Sequence, residues 1–312
     1  MTKSNSPRLF DFQVNGFAGV DYQSDQITLA DMQRSVQALR DHDTAAIYLT
    51  LVTDEIDRLC AQFARFAKMC AADPAIAAMV AGYHLEGPWM SPELGYRGAH
   101  PPGPMHAPND AEYRRLQAAA GGRIRLITLA PEWPGSAEFI ARVTAEGVHV
   151  SLGHTNANEE QIDAAAKAGA RFCTHLGNGA PLILPRHENV IQRLLARDDM
   201  TACFIPDGVH LPPFVLRNFV RAKPPGKVLF TTDCMTAAGS PPGRYTVGRM
   251  TVEVGADGIA RQPGGGGMFA GSTLTPDDGV KRVAEYLHLP LDEARRLWSD
   301  APAAAFGVKL PS

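Results

Sequence analysis

Eight short apolar runs, each followed by a stretch long enough for a helix, constrain this chain more than any other feature of its sequence. The runs are Leu9 to Val14, Ala45 to Thr50, Met79 to Leu85, Ile124 to Ala130, Val148 to Gly153, Arg171 to His175, Ala202 to Ile205 and Val228 to Thr232. Amphipathic stretches follow them at Leu29 to Arg40, Asp54 to Ala72, Ala111 to Ala120, Ala137 to Glu146, Glu159 to Ala168, Val190 to Arg197, Phe214 to Ala222 and Pro276 to Leu287. Strands that alternate with such helices build a parallel sheet with the helices packed outside it. Eight units predict a closed α/β barrel, (β/α)8 of the TIM type, because a doubly wound sheet usually stops at about five or six strands. A length of 312 residues fits one such barrel, so residues 1–312 are expected to form a single domain.

Two connections are far longer than the rest. Gly87 to Pro108 holds six prolines, and the stretch from Cys234 to Met268 contains the glycine run Gly264 to Gly267. Both follow strands, and in a barrel the loops after the strands form the catalytic face. The glycine run is no nucleotide fingerprint, since neither Lys-Ser nor Lys-Thr follows it and no βαβ unit surrounds it. Within the second stretch, alternation of Tyr245, Val247, Met250, Val252 and Val254 predicts a hairpin over Arg244 to Ile259.

Composition excludes several classes of partner. The net charge is -3 with no basic cluster, which argues against nucleic acid. No apolar run approaches the roughly 20 residues needed to cross a bilayer, and Met1 to Arg8 lacks the apolar core of a signal peptide. A cytoplasmic protein that does not bind membranes is expected. Cys60, Cys70, Cys173, Cys203 and Cys234 lack CxxC spacing and are odd in number, as reduced thiols rather than a disulfide framework would be. Cys234 is read as a small buried hydrophobe.

The chemistry lies at the strand ends. Glu86 ends the third run, His154 the fifth, His175 the sixth and Asp233 the eighth, while His210 lies just after the seventh. Each of them alone would pass for a hydrogen-bonded structural residue, but together they would converge on one rim, where a desolvated polar group needs a partner. One carboxylate and two imidazoles suffice to hold a catalytic Zn2+ and leave a fourth position open, and Glu86, His154 and His175 supply that set. Asp233 can take a proton from the attacking water and pass it to a departing amine. His100 can donate to a carbonyl oxygen as charge develops there.

Eight segments carry a resemblance that spans residues 9 to 307. They are DFQVNGFAGVD (Asp11 to Asp21), HLEGPW (His84 to Trp89), GAH (Gly98 to His100), SLGHTNA (Ser151 to Ala157), THLGNGAP (Thr174 to Pro181), PDGVHLPP (Pro206 to Pro213), TTDCMTAAG (Thr231 to Gly239) and FAGSTLT (Phe269 to Thr275). In that order they resemble the N-acetylglucosamine-6-phosphate deacetylases of the amidohydrolase superfamily. The resemblance implies hydrolysis of the acetamide of N-acetylglucosamine 6-phosphate, giving glucosamine 6-phosphate and acetate. It implies the same metal ligands, Glu86, His154 and His175, and the same acid/base, Asp233. It further implies that His100, Asn178, Gly179, Arg186 and His210 contact the substrate, and that Phe269, Ala270 and Gly271 wall the acetyl group and sugar ring. A homodimer is implied too.

Three departures modify this expectation. Many amidohydrolases hold a second metal with His-x-His at the end of strand one, but Gln13-Val14-Asn15 stands there. One divalent ion per chain is therefore expected, Zn2+ first, with Fe2+ or another divalent ion as the alternative. Arg186-His187-Glu188-Asn189 stands where the family usually has Arg-Glu-Pro-Gly, so the phosphate specificity and the sugar could differ, and since the catalytic set does not choose the acyl carrier, a related N-acyl amino sugar or amino acid is the alternative substrate. Family members also carry an accessory β-sandwich built from strands flanking the barrel. Here the first run starts within ten residues of Met1 and the chain ends soon after Phe306, so the sandwich is expected to be missing or vestigial, in a barrel-only variant or a chain whose true start lies upstream. A barrel that binds sugar phosphates without turnover is the alternative of another class. The intact ligands and base argue against it.

Overall fold

Capping residues in the sequence set where five helices of the computed structural model begin, and the structure describes residues 8–261, 263 and 271–310. In chain order the elements are β1 (Leu9–Val14), a ribbon of β2 (Gly16–Phe17) and β3 (Val20–Asp21), α1 (Leu29–Asp41), β4 (Thr44–Val52), α2 (Ile56–Ala72), α3 (Pro74–Met79) and β5 (Val80–Glu86). Then come α4 (Asp110–Ala119), β6 (Ile124–Leu129), α5 (Ser136–Ala145), β7 (His149–Leu152), α6 (Glu159–Ala168), β8 (Phe172–Cys173), α7 (Val190–Leu195), β9 (Thr201–Phe204), α8 (Pro213–Ala222) and β10 (Val228–Phe230). A small antiparallel sheet of β11 (Gly243–Val247), β12 (Met250–Val254) and β13 (Ala260–Arg261) precedes α9 (Pro276–Leu287), α10 (Leu291–Arg296) and α11 (Asp300–Phe306). Thr28 and Asn158 close capping boxes on α1 and α6, and Asp73, Asn109 and Asn189 accept from first-turn amides of α3, α4 and α7. Each supplies an acceptor to amides that the helix itself leaves unpaired.

The barrel sheet runs β1-β4-β5-β6-β7-β8-β9-β10, with every neighbouring pair parallel. Closure falls to side chains and the residues just past the last strand. Val14 bridges Cys234, Asn15 N donates to the Cys234 carbonyl at 2.8 Å, and the buried Asp11 carboxylate accepts from the Thr231 and Thr232 hydroxyls at 2.5 Å each. Burial raises the Asp11 carboxyl to about 6 against the opposing pull of those donors. The main apolar core fills the space between sheet and helices, and a second cluster of Phe10, Phe12, Tyr48, Phe172 and Phe306 plugs the barrel interior.

All eight expected strands are present. Some are shorter: the run from Arg171 to His175 is a strand only over Phe172–Cys173, and Met79 ends α3 rather than starting a strand. The hairpin expected over Arg244 to Ile259 is β11 against β12, joined by β13. The five cysteines are all free thiols, and Cys234 is buried. No helix among the described residues is long and apolar enough to cross a membrane.

Candidate metal centre and active site

Three residues expected at the rim leave the extended conformation as their strands end. His154, His175 and Asp233 have φ of 50°, 28° and 49°, three of the six described non-glycine residues with positive φ. Such backbone is costly outside glycine and persists where the surrounding structure imposes it, commonly at functional sites. The consequence is geometric. Each side chain turns from the strand direction towards the barrel axis, where Glu86 arrives from the end of β5.

Glu86, His154 and His175 meet in a buried cluster. His154 Nε2 lies 3.1 Å from His175 Nε2, and Glu86 Oε1 lies 3.2 Å from His175 Nε2 and 3.5 Å from His154 Nε2. A tetrahedral ion with bonds of about 2.0–2.1 Å separates its ligands by about 3.3 Å, so the triangle is the right size for one. Proton placement agrees. His154 Nδ1 faces the Tyr96 carbonyl at 2.8 Å and must donate to it, which leaves the Nε2 lone pair of the neutral ring aimed at the cluster. His175 Nδ1 is buried without a partner among the described residues. A lone pair, a second imidazole nitrogen and a carboxylate oxygen this close repel one another unless a cation joins them. The residues therefore fit a divalent ion.

The amides of strand one hold the carboxylates. Gln13 Nε2 donates to Glu86 Oε1 at 3.0 Å, and Asn15 Nδ2 donates to Asp233 Oδ1 at 2.7 Å. Burial alone would raise the Glu86 carboxyl, but the close approach of the His154 and His175 rings, with His100 nearby, holds it well below its ordinary range. Asp233, 9% exposed, is pushed up to about 8 by burial first and then by the negative Glu86. Two carboxyl groups thus share one site with their proton affinities driven apart, the pattern of a ligand beside an acid/base.

Other expected residues divide. His100 packs edge-on against the His154 ring at 4.5 Å between centroids, and its Nδ1 lies 3.0 Å from Thr53 Oγ1. Desolvation and the neighbouring His154 push its imidazole down to about 3, so it is neutral. Gly179 backs the His154 ring, since a Cβ there would stand 3.0 Å from Nδ1, and its φ of +60° would strain a side chain in any case. Asn178 Nδ2 turns back to the His175 carbonyl at 3.3 Å. His210 Nδ1 lies 2.6 Å from Asp207 Oδ2, and that pair, with Gly271, lines a cavity of about 100 Å3 whose lining excludes the three cluster residues. Arg186 is not brought to the site: it stands exposed on the loop before α7, near Leu182 and Ile183, which are 94% and 91% exposed. Phe269 and Ala270 lie outside the described residues.

Sequence reasoning missed the supporting contacts. Thr53 beneath His100, the Tyr96 carbonyl on His154, and His84 below Glu86 carry no local pattern. Only the place of His84, two residues before a strand-end carboxylate and so on the same face, hinted at its role. Its ring is held between Thr128 Oγ1 at 2.8 Å and Thr50 Oγ1 at 3.3 Å, and burial pushes it down to about 4.

No family model matches the chain. It is 30% identical over 306 residues to the N-acetylglucosamine-6-phosphate deacetylase of Bacillus subtilis, covering 97% of this chain and 75% of that protein. It is 32% identical over 303 residues to the N-acetylgalactosamine-6-phosphate deacetylase of Escherichia coli O157:H7, covering 97% and 78%. Among solved structures, a mutant N-acetyl-D-glucosamine-6-phosphate deacetylase from Mycobacterium smegmatis, in complex with N-acetyl-D-glucosamine-6-phosphate, superposes with a TM-score of 0.86 at 31% identity, covering 98% of this chain and 78% of that one. The chain spans about three quarters of the length of these relatives.

Proposed function

Because the chain belongs to the N-acetylglucosamine-6-phosphate deacetylase family, we propose that it hydrolyses the acetamide of N-acetylglucosamine 6-phosphate, releasing acetate and glucosamine 6-phosphate. The observation that carries this reading is the convergence of Glu86, His154 and His175 in a triangle sized for a metal, with the Asp233 carboxyl close enough to be raised by the negative Glu86. We read residues 1–312 as one barrel domain working in the cytoplasm, with Zn2+ the expected ion, one per chain, and Fe2+ or another divalent ion able to serve.

Glu86, His154 and His175 would hold that ion, which supplies Lewis acidity towards a carbonyl or a water when bound. Gln13 fixes the Glu86 oxygen that faces the imidazoles, and the Tyr96 carbonyl fixes the His154 tautomer. Asp233, ionised by the added positive charge, takes the proton of the attacking water and gives it to the departing amine, while Asn15 keeps one of its oxygens in place. His100, neutral and poised by Thr53, meets the acyl oxygen. At the end of strand one stand the neutral amides of Gln13 and Asn15, whose NH2 groups donate to Glu86 and Asp233, in place of the imidazoles or carboxylates that a second ion would normally need. His210, the turn at Asn178 and Gly179, and Arg186 are assigned to the phosphate and sugar. With Leu182 and Ile183 exposed beside it, Arg186 suits a homodimer in which that loop reaches the neighbouring subunit.

The 32% identity to an N-acetylgalactosamine-6-phosphate deacetylase favours a second reading, the same chemistry on the 4-epimer. Acetate release from N-acetylglucosamine 6-phosphate, N-acetylgalactosamine 6-phosphate and both free sugars separates the two. The first reading requires the highest kcat/KM on the gluco phosphate. A higher value on the galacto phosphate selects the second, and failure on all four sugars refutes both.

A further inference from the structure

The mouth of the barrel opposite the catalytic rim holds a cavity of about 520 Å3, lined from the starts of β4 to β7 and the end of α11. Its polar lining is Tyr48, Arg123, Arg125, His149 and Lys309, and among the described residues no carboxylate lines it. The whole chain carries a net charge of -3, so this mouth is a local inversion of the protein's charge.

Arg125 is aimed there by the backbone. The pairing of β5 with β6 runs Tyr83 to Ile124 and then His84 to Leu126, leaving Arg125 as the unmatched residue of a bulge. Bulges re-aim a side chain and recur at the rims of barrels. Gly82 makes the room, since a Cβ at that position would stand 2.6 Å from Arg125 Cγ and 3.0 Å from Tyr48 Cε1. The Arg125 stem therefore runs across the bare glycine beside the Tyr48 ring. Neither the Arg125 guanidinium nor the Tyr48 hydroxyl has a hydrogen bond or ion pair with another described residue. Arg123 bonds the Val80 carbonyl and lies over the Tyr83 ring at 5.6 Å, which leaves most of its five donors unused. Burial holds the Tyr48 phenol protonated against the pull of Arg125, so it is a donor. His149 is occupied by a hydrogen bond to the Phe306 backbone and packs edge-on against the Phe172 and Phe306 rings.

Cationic donors gathered without a counter-charge among the described residues, around a space with an apolar floor of Ala81 and Phe306, are complementary to an anion with an apolar body. We propose that this mouth is a second binding site, distinct from the metal centre, for a small dianion of the phosphate-ester or dicarboxylate class, gripped by Arg125, Arg123 and the Tyr48 hydroxyl.

Phenyl phosphate and phthalate, which share an aromatic body and differ in the anion, are the probes for calorimetric titration of the metal-loaded protein. Saturable binding of at least one is expected. It should weaken at least about tenfold in both Arg125→Gln and Tyr48→Phe, the worth of a hydrogen bond to a charged group, while Arg186→Ala leaves it unchanged. Deacetylation kcat/KM should stay within about twofold of wild type in both mouth variants, which lie away from the reacting atoms. Preference for one probe identifies the anion class. The proposal is overturned if neither probe binds below about 10 mM, or if binding survives Arg125→Gln and Tyr48→Phe or is lost only in Arg186→Ala. Tyr48→Phe keeps the aromatic core, so it decides the matter even if Arg125→Gln folds poorly.

Discussion

Asp233→Asn should lower activity and raise the stability of the metal-free protein at the same time. The replacement is isosteric, asparagine tolerates the φ of 49° at this position, and its side-chain oxygen can still accept from Asn15. What disappears is the proton acceptor. A positioned acid/base contributes a factor of about 10^2 to 10^4, so kcat should fall by that much, equivalent to about 2.7–5.4 kcal/mol of barrier. Stability moves the other way because the folded protein holds this carboxyl at about 8 against an ordinary 3.8. Between those values the unfolded chain has released the proton while the folded chain retains it, so the metal-free wild type loses stability as pH rises from about 4 to about 8. An amide does not titrate. Urea unfolding of chelated wild type and variant should show the variant gaining relative stability across that window, alongside acetate-release assays of both proteins loaded with metal. Near-normal turnover would remove Asp233 from the mechanism, and parallel pH–stability curves would refute the burial that raises it.

Arg186→Ala should raise KM for the phosphorylated sugar while sparing the free sugar, since only a dianion gains from a guanidinium fork; equal effects in the two steady-state assays would remove Arg186 from the phosphate. Gln13→Ala deletes the donor to Glu86 and should weaken metal binding by roughly 10–100-fold in chelator competition, the usual cost of losing a ligand's support. Phe306→Ala empties the centre of the interior plug formed with Phe10, Phe12, Tyr48 and Phe172, and should cost about 3–5 kcal/mol in urea unfolding with kcat little changed.

The barrel was legible because each strand is largely buried and so reads as an apolar run, and because amphipathic stretches of helical length separate the runs. α10 and α11 were missed: six and seven residues are too few for a helical period to stand out from Leu291 to Phe306. The two-residue strands of the β2–β3 ribbon leave no period at all. Within the site, the residue types at the strand ends announced Glu86, His154, His175 and Asp233. Their left-handed backbone and the contacts of Gln13 and Asn15 could not be read, since the partners lie 73 and 218 residues away and meet only when the sheet closes. The role of Arg186 was equally beyond local pattern, because an exposed loop arginine reads the same whether it waits for a ligand or faces water.

Acetate release from N-acetylglucosamine 6-phosphate, measured against equivalents of Zn2+ added to chelated protein, tests most directly whether one ion held by Glu86, His154 and His175 drives deacetylation. Activity should be absent without metal, rise in proportion to it and level off at one ion per chain. Turnover that persists in the chelated protein, or a plateau only at two retained ions, would contradict that assignment.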